Sequence, residues 1–143
     1  MKKIITIIIS VLIIIAGLFI YIYEYKFDIK LKPEDSSNLI SIISPVKDSK
    51  VSSPLSVAGR AKGLWFFEGS FPIILTDWDG KIIAEGHASA QGDWMTNEWV
   101  KFIGTLNFTK PEYGEKGSLI FKKSNPSGLS ENDNAYEITV LFK

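Results

Sequence analysis

Apolar and polar positions divide this chain into one long apolar run and a series of short alternating ones. Ile4 to Tyr23, IITIIISVLIIIAGLFIYIY, is twenty residues without a charge. At about 1.5 Å per residue such a run makes a helix about 30 Å long, the thickness of a bilayer's hydrocarbon core. Its isoleucines are poor helix formers in water, but in lipid the backbone must satisfy itself internally, and that favours helix. Lys2 and Lys3 precede the run, and Tyr21, Tyr23 and Tyr25 lie at its far end, where amphipathic rings favour the headgroup layer. A cleaved signal peptide has an apolar core of about 7–15 residues followed by a small-residue site. Here the core is longer, and Ala16-Gly17 falls inside it. Residues 1–23 are therefore expected to form an uncleaved transmembrane anchor, N-terminus inside and the remaining chain on the extracytoplasmic side.

Residues 24–38, EYKFDIKLKPEDSSN, read as a polar stalk, since Pro, Glu, Asp and Ser suit an extended linker. From Leu39 onward the pattern becomes strand, turn, strand. Expected strands are Leu39–Ser44, Leu55–Arg60, Phe71–Thr76, Ile82–Ala90, Val100–Leu106, Ser118–Lys123 and Tyr136–Phe142, with the aromatic stretch Leu64–Glu68 set off between Gly63 and Gly69. The alternation is clearest at the end, where Tyr136, Ile138, Val140 and Phe142 alternate with Glu137, Thr139 and Lys143. Asp79-Gly80 marks a two-residue hairpin, because Asp-Gly tolerates the positive φ angles of such a turn. About seven short strands at this spacing predict an all-β domain over residues 39–143, an antiparallel β-sandwich behind the one N-terminal transmembrane helix.

Composition narrows the function. Sixteen basic and sixteen acidic residues give zero formal net charge, which argues against a nucleic-acid partner. With no cysteine there is no disulfide, thiolate metal site or lipidated cysteine. About 105 residues follow the stalk, and a domain of that size buries roughly two-thirds of its unfolded surface, enough for a core without staples.

Candidate chemistry is sparse. Trp65, Phe66 and Phe67 are consecutive, so in a strand they point to alternating faces, at least one into the core and one outward. Trp94 and Trp99 bracket a turn; one of them is expected to be the inter-sheet core tryptophan. Exposed rings here would suit a protein contact or a sugar face. The candidate binding surface is Trp65, Phe66, Trp94, Trp99 and Asn125, and the loops to inspect are Gly63–Ser70, Gln91–Glu98 and Ser124–Asn134. Glu68 is read as a buried charge with a structural partner. Asp77-x-Asp79-Gly80 resembles the start of a calcium loop but lacks the closing Glu. His87 is the only histidine, too few for a multi-histidine metal site. Neither a catalytic set nor a cofactor site is expected.

Ser44-Pro45, Ser53-Pro54-Leu55, Val57-x-Gly59-x-Ala61, Phe67-Glu68 and Leu75-x-Asp77-x-x-Gly80 come in an order and spacing that resemble a known family. Gly117-x-Leu119 and Asn125-Pro126-Ser127-Gly128 extend the match, which is to the immunoglobulin-like domain of bacterial spore germination. The resemblance implies an immunoglobulin-like sandwich attached to a cell envelope, with a binding or structural role and no activity or cofactor. The expected partners are the membrane, through residues 4–23, and an envelope protein; a cell-wall glycan is the alternative.

Overall fold

The structure, a computed structural model, describes residues 14–19 and 38–143. Residues 14–19 are helical. Among the described residues no helix is long and apolar enough to cross a membrane. The rest of the expected anchor, and the expected stalk up to residue 37, lie outside the described residues.

The domain is all-β. Eight strands form, against about seven expected: β1 (Ile40–Ser44), β2 (Lys50–Val51), β3 (Leu55–Lys62), β4 (Ser70–Asp77), β5 (Ile82–Ala90), β6 (Trp99–Leu106), β7 (Lys116–Lys122) and β8 (Ala135–Phe142). They hydrogen-bond in the order β1-β3-β6-β5-β4-β7-β8-β2. β5 makes the sheet continuous. It pairs with β4 along most of its length, and at Ala88–Ala90 it also pairs with β6. The sheet curls at this strand into two layers. Phe102 on β6 lies 4.9 Å from Phe71 on β4 and 6.1 Å from Phe121 on β7, although β7 is three places away in the strand order.

Side-chain alternation explains the layers. On β3, Leu55, Val57, Gly59 and Ala61 are buried, while the residues between them face outward. On β6, Val100, Phe102 and Leu106 go inward and Trp99, Lys101, Ile103 and Thr105 outward. β8 repeats the pattern with Ile138, Val140 and Phe142 inside. At about 25 cal/mol per Å² of apolar surface, burial of this core is the main stabilising term.

The expectation of a purely antiparallel sheet is corrected at one edge. β2 pairs parallel with β8, Lys50 opposite Leu141 and Val51 opposite Phe142. The run from β1 to β2 thus crosses from one edge of the sheet to the other. Pro45 follows β1 and has no N–H to continue the ladder. The N–H of Asp48 then reaches the carbonyl of Thr139 at 2.7 Å. So short a strand, inside a Pro/Asp/Ser-rich turn, leaves no periodic signal.

Two turns differ from expectation. Leu64–Glu68 is not a strand: Gly63–Trp65 form a 3-10 turn, and Phe67 and Ser70 exchange hydrogen bonds of 3.0 and 3.1 Å around Glu68-Gly69. Glu68 is therefore an exposed hairpin residue, not a buried charge. Its φ is +51° and that of Gly69 +74°, as a type I′ turn requires. A side chain other than Asn or Gly pays roughly 1 kcal/mol there. Replacing Glu68 by Asn is expected to raise stability by about 0.5–1 kcal/mol, read as a higher urea midpoint at constant slope. An unchanged or lower midpoint would refute this account of the turn.

The β4–β5 connection is a three-residue loop, Trp78-Asp79-Gly80, rather than a two-residue one. The N–H of Asp77 donates to the carbonyl of Lys81 at 2.9 Å, and Gly80 has φ +81°. The Asp77 carboxylate accepts from the N–H groups of Asp79 (3.0 Å) and Lys81 (2.9 Å). Its role in this turn is to organise the backbone. Asp77→Ala is expected to cost about 1 kcal/mol, measured by the same urea titration.

Candidate functional site

Strand directions bring the three inspected loops together. β3 and β7 end, and β4 and β8 begin, at the pole where β1 starts, as do the end of β5 and the start of β6. Loops 63–70, 91–98 and 123–134 therefore share this N-terminal pole.

The loops are bonded to one another. The N–H of Gly63 donates to the carbonyl of Glu98 at 3.2 Å, and that of Ser124 to the carbonyl of Trp65 at 3.0 Å. The Ser124 hydroxyl donates to the carbonyl of Ser70 at 2.9 Å. Within the middle loop, the Asp93 carboxylate accepts from the Met95 N–H at 3.0 Å and the Thr96 hydroxyl from the Glu98 N–H at 3.1 Å. Small polar side chains here replace a backbone ladder.

The predicted surface residues separate on this frame. Trp65 and Phe66 are both core, 0% and 5% exposed, so neither presents a ring to a partner. Trp65 meets Phe71 edge-on at 6.3 Å and Phe66 meets the same ring at 5.2 Å. The strand argument failed because the backbone here is a tight turn, in which successive side chains need not oppose. The buried tryptophan is thus Trp65, not Trp94 or Trp99. Trp94 is half-buried, its indole close to Gly69. Trp99 is 37% exposed, with the Arg60 guanidinium 5.0 Å and the Lys62 ammonium 5.1 Å from its ring centroid. These are cation–π distances. Asn125 organises its own loop: its amide donates to the Leu129 carbonyl and the Asp133 carboxylate, both at 2.8 Å, and accepts from the Ser127 hydroxyl.

The pole presents four large apolar side chains in water, among exposed carboxylates at Glu68, Asp93, Glu98, Glu131 and Asp133. Leu64, Phe67, Met95 and Leu129 are 44–77% exposed. Two hollows lie among them. One, about 310 Å³, is lined by Gly63, Leu64, Phe66, Trp94 and Met95. The other, about 500 Å³, is lined by Phe67, Pro72, Lys123, Ser124 and Asn125. Among the described residues no three His, Cys, Asp or Glu side chains gather as a metal set. His87 is exposed on β5.

Sequence reasoning missed Phe67 and Met95 as surface residues, and it missed the two cations on Trp99. Arg60 and Lys62 share a face of β3 by simple alternation, but only the register that sets Lys62 opposite Trp99 shows what they meet.

The family model for the immunoglobulin-like domain of bacterial spore germination matches residues 39–130. No curated protein and no solved structure matches the chain.

Proposed function

The chain belongs to the family of the immunoglobulin-like domain of bacterial spore germination, and from that premise we propose that it is a membrane-anchored, extracytoplasmic binding module of the bacterial cell envelope whose partner is another protein. Residues 4–23 hold it in the membrane, and the sheet is a rigid frame whose loops make the contact. The observation that carries this reading is the N-terminal pole. Three loops, two of them each bonded to loop 63–70, hold Leu64, Phe67, Met95 and Leu129 in water, beside two hollows. Exposed apolar side chains fixed on a preformed surface favour association, because little ordering entropy is lost on binding.

The glycan alternative required a platform of exposed rings. Trp65 is buried, and Trp99 already has two cations near its ring. These placements favour the protein contact.

A photocrosslinker placed at Met95 of the full chain, in intact membranes, is expected to give a discrete protein adduct. Phe67→Ser is expected to weaken that adduct several-fold. Crosslinking to glycan alone, or an adduct indifferent to Phe67, would reject the reading. In the same membranes the chain is expected to resist alkaline extraction and to be open to protease only from the outer side.

A further inference from the structure

The outward face of β3 and β6 is cationic. Its side chains are Ser56, Ala58, Arg60 and Lys62 from β3, and Trp99, Lys101, Ile103 and Thr105 from β6. Three of these eight are cations and none is a carboxylate, on a chain whose net charge is zero; on β5 the outward row holds one carboxylate, Glu85, which does not line the hollow over β3, β6 and β5. Glu98 lies just before β6, but its backbone is tied into the loop by the bonds to Gly63 and Thr96.

The arrangement is electrostatically unfavourable for the isolated domain. Register puts Arg60 directly opposite Lys101, and like charges directly opposite on a sheet repel. Trp99 partly offsets this by holding both the Arg60 and Lys62 cations beside one indole. An arginine stacked on a ring keeps its N–H edges free, and those edges match carboxylate or phosphate oxygens. The ring thus fixes the cations while leaving their donors open.

The same face continues into a trough. A hollow of about 500 Å³ crosses β3, β6 and β5, and its polar lining is Ser56, Thr105, His87, Ser89 and Gln91. Ser89 stands opposite Ile103, and the N–H of Gln91 donates to the carbonyl of Lys101 at 2.8 Å, so the trough and the cation row are contiguous. Hydroxyl, amide and imidazole groups pair with polyol hydroxyls; the cations pair with anionic groups. Alternate residues on a strand lie about 6.6 Å apart and neighbouring strands about 4.8 Å apart. Arg60 and Lys62 gather at Trp99, Lys101 stands opposite Arg60 on the next strand, and the trough carries the face on past them, which gives a chain of repeated anions more to hold than a single headgroup needs.

We infer that the outer face of β3, β6 and β5 binds an anionic, polyhydroxylated polymer, a polyol- or sugar-phosphate chain, with Arg60, Lys62 and Lys101 holding phosphates and the trough holding hydroxyls. That such a polymer meets the domain in the envelope rests on the extracytoplasmic reading above. The binding chemistry does not, nor does it use Phe67 or Met95.

The test uses the purified full chain in neutral detergent with three probes: a synthetic poly(glycerol phosphate), an uncharged dextran of similar length, and vesicles containing phosphatidylglycerol. Binding to the phosphate polymer is expected, falling several-fold between low and physiological salt as the charges are screened. Substitution of Arg60, Lys62 and Lys101 by Gln together is expected to lower affinity at least tenfold with the unfolding midpoint little changed. Lys101→Gln alone, which leaves the Trp99 contacts intact, is expected to lower it about threefold. Equal retention of dextran, binding to vesicles but not polymer, or undiminished binding by the triple variant would each overturn the inference.

Discussion

Trp65→Ala is expected to destabilise the domain by about 3–5 kcal/mol, the usual range for truncating a large buried aromatic. The ring is fully buried and meets Phe71 edge-on, and the backbone of Trp65 is also the point to which Ser124 is bonded. Removing the side chain leaves a void in the core beneath loop 63–70, beside Phe71. Domains of this size have total stabilities of about 5–15 kcal/mol, so a large part of the folded population's margin disappears. Urea unfolding of the full chain in detergent, followed by circular dichroism, should show a much lower midpoint at unchanged slope. Trp65→Phe should cost clearly less. The indole Nε1 has no hydrogen-bond partner among the described residues, and an unpaired buried N–H is itself unfavourable by about 1–3 kcal/mol. A loss below about 1 kcal/mol for the alanine variant would contradict the burial of this ring.

Gly63→Ala is expected to be nearly as damaging, for the opposite reason. A Cβ at this position would stand 1.8 Å from the carbonyl oxygen of Thr96 and 2.4 Å from that of Trp94. Both obstacles are backbone atoms, so no rotamer change relieves them. The loops must separate, and the bond from the Gly63 N–H to the Glu98 carbonyl is lost with that movement. A cost of about 3 kcal/mol follows, at the upper end for forced overpacking. The displacement also has a local signature, because Trp94 sits on the loop that has to move. Hydrogen exchange of residues 91–98 should accelerate beyond what the global loss of stability predicts. Unchanged exchange in that loop, with normal stability, would show that the two segments are not in contact.

Much of the strand content was legible because it depends on local alternation. β3, β6 and β8 each bury every second side chain, and each was readable from its own residues. The family, too, was legible in an ordered set of turn and core residues spanning most of the domain. β2 was not, since two residues cannot display a period. The Trp65-Phe66-Phe67 run misled because alternation presupposes extended backbone, and nothing within the run announces the 3-10 turn that precedes it. Glu68 misled similarly: its acidity suggested a buried partner, whereas its position is set by the chain reversal at Gly69. The candidate surface was the least legible part. Whether Trp99 faces water, the core or a cation depends on which strand lies beside it, and that neighbour is about forty residues earlier in the chain. Asn125 was correctly placed in a long polar loop, but its amide groups turned out to be engaged within that loop.

The crossing of the first strands from one sheet edge to the other bears on how the domain responds to force. Tension applied between Leu39 and Phe142, at opposite poles of the sheet, draws β1 along its own axis, against a ladder whose hydrogen bonds run perpendicular to the pull. Those bonds are loaded in parallel rather than opened one at a time. Behind them, β2 is held to β8 at the far edge, so traction at the N-terminus is shared by strands from both layers. Pulled from pole to pole, the domain meets a tug with its stiffest geometry.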